Sequence, residues 1–281
     1  MKNETGYFEG FEQRKMFYQY WLPDSGEIKA YLIAMHGWGT HSDRIAVPAK
    51  YFIEKGFAVY SFDLRGHWRN AGDLKGHIKS LNHIQQDIQI FFDLIKKEAG
   101  EKKVFLIGHS FGGALSLIYA IEHPELPGVL VSSPELGLAL KLNLTQKIAK
   151  AIFPLLVKIA PKAQVAIELV QEDLTNDPEI LKEHIEDQEK LVAITTTTYG
   201  VMEKGMKYPL KNVNKLKVPC LIMQAGNDKI VDLEKTKEFY EKLEIEDKKF
   251  ISYEGFLHEL WNEKERHKVF KDMEEWLNNH L

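Results

Sequence analysis

The sequence contains a single cysteine, Cys220, and this scarcity limits the chemistry open to the chain. One cysteine excludes an intrachain disulfide framework and a cysteine-rich zinc site. An excess of basic charge is also missing, because 37 basic residues face 41 acidic ones and the formal net charge is −4. Phosphate recognition needs a concentrated positive surface, so we expect no nucleic-acid partner.

Long apolar runs are scarce as well. The longest stretch without Lys, Arg, Asp or Glu is Val104–Ile121, and it is interrupted by Gly108, Gly112 and Gly113. Such punctuation predicts a strand, a tight turn and a buried helix rather than a membrane span. The first residues are polar and lead into no segment of signal-peptide type, so a cytoplasmic location is expected.

The chain does contain a high apolar fraction, 44 % of its residues, which excludes disorder and allows a large core. Short apolar runs alternate with stretches of helical periodicity, a pattern typical of a parallel sheet covered on both faces. The predicted strands are Tyr31–Met35, Phe57–Phe62, Val104–Ile107, Val129–Val131, Cys220–Met223 and Lys249–Tyr253. The predicted helices are Pro48–Lys55, Leu81–Ala99, Gly113–His123, Glu234–Leu243 and Glu265–Leu277.

Residues 137–208 interrupt this alternation, because they contain no clear strand and are far longer than an ordinary loop. We therefore predict a core domain made of residues 1–136 and 209–281, into which residues 137–208 are inserted as a helical cap. Three helices are expected in the cap, at Thr145–Leu156, Ala163–Leu169 and Pro178–Val192.

Two cap segments leave alternatives open. Ala151–Ala160 is apolar with one charge, which fits an entrance helix that dips into a lipid interface and equally fits packing against the core. Thr195–Thr198 is a β-branched run, which fits either hydroxyls that line a pocket or a turn at a frayed helix end.

Chemistry is concentrated around Ser110, which lies at the centre of the run Gly108–Gly112. A G-x-S-x-G turn between a strand and a helix pushes the serine hydroxyl out of the sheet, where it acts as a nucleophile. The start of the following helix directs backbone N–H groups and positive dipole toward developing negative charge. These features predict an acyl-transfer site at Ser110.

A serine hydroxyl needs a base and a group that orients the base. Among the 11 histidines, His258 is the predicted base because it follows the last strand. Asp228 follows another strand and is the predicted acid. The resulting chain order Ser110, Asp228, His258 is that of the α/β-hydrolases. Asp232 is the main competitor of Asp228.

Four other residues near these motifs are expected to play different parts. We predict that Asp63 forms a turn and pairs with Arg65 or with local backbone. The turn should direct His109 away from the site, and His36 should stabilise its own loop. Cys220 is predicted to fill the core rather than to act as a nucleophile.

Attack on an ester converts its carbonyl oxygen into an oxyanion, which needs N–H donors. In this arrangement one donor is the residue after the nucleophile, here Phe111, and the other comes from the loop after an early strand. That loop is His36–Gly39, and the Trp38 N–H is the candidate donor. The chemistry calls for no metal and no cofactor.

Several motifs occur in the order seen in monoacylglycerol lipases and related lysophospholipases, and the sequence resembles that family over nearly its whole length. The motifs are His36–Ser42, Asp63–His67, Gly76-His77, Gly108–Gly113, Ser133-Pro134, Gly226–Asp228, and His258-Glu259 followed by Asn262-Glu263 and Arg266. The resemblance implies an α/β-hydrolase fold with a mostly parallel central sheet, helices on both faces and an inserted helical cap over an acyl-chain pocket. It places the family triad on Ser110, Asp228 and His258, and the oxyanion donors on Trp38 and Phe111.

Two departures from the family pattern bear on substrate preference. Thr40 stands where the family has Glu, and Gly66–Asn70 replaces the usual Gly-His-Gly-x-Ser. The resemblance implies a serine ester hydrolase that releases fatty acid and glycerol from monoacylglycerols through an acyl-enzyme. Lysophospholipids and short- or medium-chain esters are the alternative substrates. The implied partners are a small lipid ester and a membrane surface contacted transiently through the cap.

Overall fold

The computed structural model describes residues 2–139, 153, 155–167 and 169–281, and eight strands within those residues form its central sheet. The strands in chain order are β1 (Lys2–Gly10), β2 (Arg14–Leu22), β3 (Ala30–Met35), β4 (Phe57–Phe62), β5 (Val104–His109), β6 (Val129–Ser132), β7 (Gln164–Ala166), β8 (Ala193–Thr195), β9 (Cys220–Ala225) and β10 (Lys248–Tyr253). The sheet order is β1-β2-β4-β3-β5-β6-β9-β10, with β1 and β2 antiparallel and the others parallel. This is the mostly parallel sheet that the sequence predicts.

Helices cover both faces of the sheet. They are α1 (Ala46–Glu54), α2 (Leu81–Ala99), α3 (Phe111–Glu122), α4 (Pro178–Glu186), α5 (Thr196–Lys211), α6 (Leu233–Lys242) and α7 (Arg266–Asn279). Ile33 of β3 packs in one apolar core with α2 and α3, whereas Leu32 packs in the other with α1 and α7. Burial of both faces explains why the central strands are continuously apolar. Within the described residues, none of these helices has the length and apolar composition needed to cross a bilayer.

The strands and helices predicted outside the cap are all present, with small shifts at their ends. Cys220 is buried in β9, which confirms its role as a core residue. The antiparallel hairpin of β1 and β2 is absent from the prediction. These strands lie at the edge of the sheet and mix buried with exposed side chains, so no continuous apolar run marks them.

The first part of the cap differs from its prediction. The prediction of a helix at Ala163–Leu169 is wrong. The expectation that the cap has no strand is wrong as well. β7 and β8 pair there in antiparallel register, with Val165 opposite Ile194. Strands this short depend on their pairing partner, which lies far away in the sequence, so local periodicity does not reveal them.

The helix predicted at Pro178–Val192 begins at Pro178 but ends at Glu186. The Asp187 carboxylate accepts the backbone N–H of Glu189, and this local hydrogen bond competes with continuation of the helix. The helix predicted at Thr145–Leu156 lies outside the described residues, apart from positions 153, 155 and 156, which are helical.

Helix α5 runs through the predicted cap boundary at residue 208 and packs against α3. At this contact, a Cβ added to Gly205 would lie 3.6 Å from the Phe111 ring. The threonine run forms the start of the helix, because the Thr195 hydroxyl accepts the Thr198 N–H at 3.2 Å. This hydrogen bond is an N-cap, so the run is an ordered start of a helix rather than the turn or frayed helix end that was one of the two alternatives.

Candidate active site

Ser110 occupies a strained turn between β5 and α3. Its φ of 54° and ψ of −119° lie in a region that few residues other than glycine adopt. Backbone hydrogen bonds hold this conformation. The Ser110 N–H donates to the Ser132 carbonyl at 2.9 Å, and the Ser110 carbonyl accepts the N–H groups of Ala114 and Glu135 at 3.0 Å each.

The two glycines of the motif allow the turn to be this tight. A Cβ on Gly108 would lie 2.3 Å from the Gly112 carbonyl oxygen, and a Cβ on Gly112 would lie 2.5 Å from that of His36. Neither position accepts a side chain without movement of the backbone. The G-x-S-x-G spacing therefore follows from steric contact, as a nucleophile turn requires.

His258 and Asp228 meet at the edge of the sheet, beyond the ends of β10 and β9. The His258 Nδ1–H donates to Asp228 Oδ2 at 2.9 Å, and both side chains are buried. This hydrogen bond orients the imidazole and leaves Nε2 as the ring nitrogen that can serve Ser110. Ser110 and His258 line the same cavity.

Asp228 is held in its charged form by its surroundings. Burial alone would raise the pKa of its carboxyl, but His258 and the N–H groups of Val231 and Ile230 together hold that pKa below its ordinary value. Both N–H groups donate to Oδ1 at 2.9 Å. Gln224 Nε2 adds a donor to Oδ2 at 3.1 Å. A carboxylate held in this way stabilises a protonated imidazole.

The competing acid, Asp232, has a structural role instead. Its carboxylate accepts the backbone N–H groups of Glu234 and Lys235 and caps the N-terminus of α6. Helix capping is a frequent use of aspartate, so the sequence alone leaves Asp228 and Asp232 both open.

Asp63 also has a structural role. Of its two predicted partners Arg65 is wrong, whereas a nearby backbone group, the Arg69 N–H, does donate to its Oδ2 at 3.3 Å. Its carboxylate accepts the N–H and the hydroxyl of Ser42 and lies 3.2 Å from the Arg69 guanidinium. Arg65 pairs with Asp87 of α2 at 2.8 Å. Asp63 therefore ties the loop after β3 to the loop after β4.

The loop after β3 lies directly against Ser110. A Cβ added to Gly37 would lie 3.2 Å from the Ser110 Cβ. Trp38 of this loop lines the cavity, and Phe111 begins α3. The N–H groups of Trp38 and Phe111 donate to no acceptor within the described part of the chain, so both are free to bind a ligand.

Two buried histidines hold this loop. His36 Nε2 accepts the Leu64 N–H at 2.9 Å, and its Nδ1 donates to the Gly37 carbonyl at 2.8 Å. His67 Nε2 accepts the Gly39 N–H at 3.2 Å. Burial lowers the pKa of both rings to about 3, so both are neutral near pH 7. The prediction that His36 stabilises its own loop is confirmed. The similar role of His67 was not predicted, although this residue lies in the segment Gly66–Asn70, which departs from the family pattern.

His109 contacts the His258 ring, and the prediction that it turns away is wrong. The two ring centroids are 4.7 Å apart, and His109 Nδ1 lies 3.1 Å from the Ser132 carbonyl oxygen. Loss of hydration and the neighbouring His258 lower the pKa of His109 to about 4. The ring is therefore neutral and adds no positive charge beside His258.

A cavity of about 480 Å³ opens at Ser110 between the sheet edge and the cap. This volume lies within the range of roughly 300–1,000 Å³ found for small-molecule sites. The cap side of the cavity is mostly apolar and includes Phe153, Ile167, Ile194, Tyr199, Met202 and Met206. The cavity is therefore suited to an apolar chain whose reactive end lies at Ser110. Among the described residues, no three His, Cys, Asp or Glu side chains are grouped to hold a metal ion.

Buried threonine hydroxyls attach the cap to the core. Thr198 Oγ1 accepts the Ile78 N–H at 2.7 Å and donates to the Gly76 carbonyl at 2.8 Å. Thr195 Oγ1 lies 3.0 Å from His77 Nδ1. These contacts fix the start of α5, which carries much of the apolar wall of the cavity.

Glu135 is a cavity residue that the sequence reasoning missed. It follows β6, lines the cavity and is only 3 % exposed. A second buried carboxylate at the cavity, Glu259, lies 2.9 Å from His184 Nε2. The available signal for Glu135 was its position just after a predicted strand, the same signal that identified Asp228 and His258.

Comparison with known proteins shows the family to which the chain belongs. The sequence profile described as serine aminopeptidase, S33, matches residues 26–265. A phospholipase of Bacillus subtilis is 27 % identical over 89 % of this chain and 96 % of its own. A monoacylglycerol lipase of Mycolicibacterium smegmatis is 25 % identical, covering 98 % of this chain and 96 % of its own.

Solved structures show the same likeness in three dimensions. A soluble variant of the Saccharomyces cerevisiae monoglyceride lipase, crystallised with a substrate analogue, is 26 % identical and superposes with a TM-score of 0.89. The match covers 100 % of this chain and 95 % of the yeast chain. The expected α/β-hydrolase fold and the resemblance to monoacylglycerol lipases are thus confirmed. Since the family profile spans most of its length, the chain belongs to the serine aminopeptidase S33 family of α/β-hydrolases.

Proposed function

We propose that the protein is a serine carboxylic ester hydrolase that cleaves monoacylglycerols into a fatty acid and glycerol. One observation carries the proposal: a serine in a strained nucleophile turn and a histidine oriented by a buried carboxylate line one apolar cavity. The monoacylglycerol lipase and monoglyceride lipase relatives support this substrate class. We further propose that residues 137–208 act as the cap over the acyl chain.

The catalytic groups are Ser110, Asp228 and His258. His258 Nε2 takes the proton of the Ser110 hydroxyl as the oxygen attacks the ester carbonyl. Protonated His258 then gives this proton to the departing glycerol oxygen, which leaves an acyl-enzyme. A water molecule repeats the sequence and frees the fatty acid. Asp228 remains ionised throughout and stabilises the imidazolium.

The oxyanion of each tetrahedral intermediate is bound by the N–H groups of Trp38 and Phe111. The contact between Gly37 and Ser110 supports this role, because it brings the loop backbone beside the reacting carbon. Donors that are fixed before the reaction begins stabilise charge without reorganisation. His36 and His67 help to fix the Trp38 donor, because they hold the backbone of its loop.

Phospholipids or lysophospholipids are the second candidate substrates. The phospholipase of Bacillus subtilis is the specific observation in their favour. The catalytic groups would be the same, because ester cleavage at a glycerol oxygen is common to both classes. The difference would lie in whether the alcohol end of the cavity accepts a phosphate headgroup.

Peripheral membrane contact through the cap is part of the proposal. The cap exposes large apolar side chains at Leu155, Ile159, Val165, Val170 and Val192. Two of them, Val165 and Val170, also line the cavity, and exposed apolar side chains beside a lipid site favour insertion into a bilayer interface. Co-sedimentation with phosphatidylcholine vesicles tests this contact, and Ile159→Ser should weaken it. Equal sedimentation of the variant would argue against this part of the cap as the contact.

A hydrolysis panel on purified protein tests the main proposal. The panel compares monoacyl-, diacyl- and triacylglycerol, a lysophospholipid, a short ester and an aminoacyl anilide, with Ser110→Ala as the blank. We expect the highest Ser110-dependent kcat/KM on monoacylglycerol. Preference for lysophospholipid would favour the second candidate, and preference for triacylglycerol, the short ester or the anilide would contradict the proposed substrate class.

A further inference from the structure

Glu135 carries a buried carboxyl, and its Oε1 has no hydrogen-bonding partner among the residues that the structure describes. The residue is 3 % exposed, and its Oε1 is shielded from solvent. An unpaired buried polar group destabilises the folded state, so its retention needs a reason. Glu135 lines the same cavity as Ser110 and His258. A group on the substrate is therefore a natural partner.

The backbone around Glu135 is rigidly positioned next to the nucleophile. The Glu135 N–H donates to the Ser110 carbonyl at 3.0 Å, and the Ser133 N–H donates to the Met223 carbonyl at 2.8 Å. Ser133 has a φ of 42°, in the left-handed region that residues other than glycine rarely adopt. Strained positions of this kind cluster at functional sites. The side chain of Glu135 thus starts from a fixed point beside the reacting serine.

The other acidic groups at the cavity are already paired. Glu259 lies 2.9 Å from His184, and Asp173 accepts a 2.8 Å hydrogen bond from Lys229. Glu135 forms no ion pair with any residue in the described part of the chain, and burial raises the pKa of its carboxyl to about 8. Near neutral pH it is therefore mainly a neutral acid, which can both donate and accept a hydrogen bond.

A neutral acid in an apolar cavity is better matched to a hydroxyl than to an ammonium group. Pairing with a cation would require two ions to be removed from water, and that cost can exceed their attraction. A hydroxyl carries no such cost and satisfies the buried carboxyl. The mostly apolar lining of the cavity favours the same choice.

We propose that Glu135 is a specificity-determining residue that binds a hydroxyl group of the substrate close to the scissile ester. This inference rests on the proposed ester hydrolysis at Ser110. The hydroxyl has two sources, the glycerol leaving group or a hydroxylated acyl chain, which present the same chemistry to the carboxyl.

Four esters of one chain length separate these sources. They are propyl decanoate, glycerol monodecanoate, propyl hydroxydecanoate and choline decanoate. For each variant, kcat/KM on each functionalised ester is divided by kcat/KM on propyl decanoate, so that any general loss of activity cancels. We expect Glu135→Met to lower the ratio for a hydroxylated ester by about tenfold, as loss of one buried hydrogen bond implies. Which ratio falls identifies the source of the hydroxyl.

Two further variants sharpen the result. Glu135→Gln keeps a neutral hydrogen-bonding side chain and should keep the ratio within about threefold of the parent, since the bond rather than the charge is used. Asp173→Asn is a matched control, because this carboxyl lines the same cavity but is already paired with Lys229. A rise in Tm of Glu135→Met would show that the variant folds and that an unpaired group has been removed.

Ratios that stay unchanged in Glu135→Met would overturn the inference and leave only a structural role. A preference for choline decanoate that Glu135→Gln abolishes would also overturn it, in favour of a cation as the ligand. If the parent protein hydrolyses none of the esters in a Ser110-dependent way, the proposed function fails and this inference fails with it. Hydrolysis with unchanged ratios contradicts the inference alone.

Discussion

The two sides of the cavity are built on different physical principles. The sheet-edge wall contains Ser110, His258 and Trp38, and hydrogen bonds fix the backbone or side chains of this region. The cap wall presents mostly apolar surface, namely Ile167, Ile194, Tyr199, Met202 and Met206. Bond cleavage needs donors and acceptors at fixed positions, whereas contact with an acyl chain is non-directional. The reaction and the choice of chain therefore depend on different parts of the molecule.

The two walls also differ in how they are attached. The sheet-edge wall continues from β3 and β5, which are hydrogen-bonded to neighbours on both sides, and from the edge strand β10, which pairs with β9. The cap wall is joined to the core by the packing of α5 on α3, by the hydroxyls of Thr195 and Thr198, and by the hydrogen bond from the Thr175 hydroxyl to the Asn262 carbonyl. Pairing within the sheet therefore positions one wall, whereas contacts between separate segments attach the other.

Removal of the nucleophile tests the sheet-edge wall most severely. We expect Ser110→Ala to lower kcat/KM on every ester by about 10⁴-fold or more, because no acyl-enzyme can form. Hydrolysis assays stopped at fixed times would measure activity, and circular dichroism would measure folding. Ser116→Ala, which removes a hydroxyl bonded to the Gly112 carbonyl in the same helix, is the control. Similar rates for the two variants would reject Ser110 as the nucleophile.

Two neighbouring aspartates distinguish catalysis from capping. We expect Asp228→Asn to lower kcat by about 10³- to 10⁴-fold, because the amide disturbs the tautomer and charge balance of His258. Asp232→Asn should change kcat little, since asparagine caps a helix about as well as aspartate. Steady-state kinetics on one monoacylglycerol gives both values. The reverse ranking would move the orienting acid to Asp232.

Weakening the attachment of the cap should affect stability more than chemistry. Thr198→Val leaves the Ile78 N–H and the Gly76 carbonyl without their buried partner, so we expect the free energy of unfolding to fall by about 1–3 kcal/mol. Urea unfolding and limited proteolysis of the cap are the measurements. Thr197→Val is the control, because its hydroxyl donates at the surface to the Pro161 carbonyl. A loss of kcat as large as that of Asp228→Asn would contradict the division of roles between the walls.

The buried histidines His36 and His67, which hold the loop after β3, should make the free energy of unfolding depend on pH. The pKa of His67 is lowered from 6.5 to about 3 in the folded protein. Between these values the unfolded chain binds a proton that the folded chain does not, so stability falls as the pH drops below about 6.5. His67→Gln should reduce this slope by up to about 1.4 kcal/mol per pH unit. Urea unfolding at pH 7, 6 and 5 measures the slope, with the exposed His267→Gln as control. Equal slopes for the parent and His67→Gln would show that the buried ring is not kept neutral.

The predictability of each element follows from where its stabilising contacts lie. The central strands and flanking helices were predictable because burial of both sheet faces leaves a continuous or periodic apolar pattern. The edge hairpin of β1 and β2 and the short pair of β7 and β8 lack such a pattern. Their stability comes from a pairing partner or from the edge of a sheet, which no local window contains.

The same division applies within the site. Ser110 was evident from its glycine spacing, and Asp228 and His258 from their positions after strands. The pairing of Asp63 with Ser42 and Arg69 joins separate loops and could not be predicted in this way.

The sequence by itself determined the nucleophile turn, the alternation of strands and helices, and the chain order of the three catalytic candidates, because each depends on local sterics and periodicity. Only the tertiary structure decided that Asp228 rather than Asp232 contacts His258, that two neutral histidines hold the loop after β3, and that Glu135 lines the cavity with no partner for its Oε1 among the described residues. Those outcomes depend on contacts between distant segments. Burial and hydrogen bonding become definite only when the whole chain is packed.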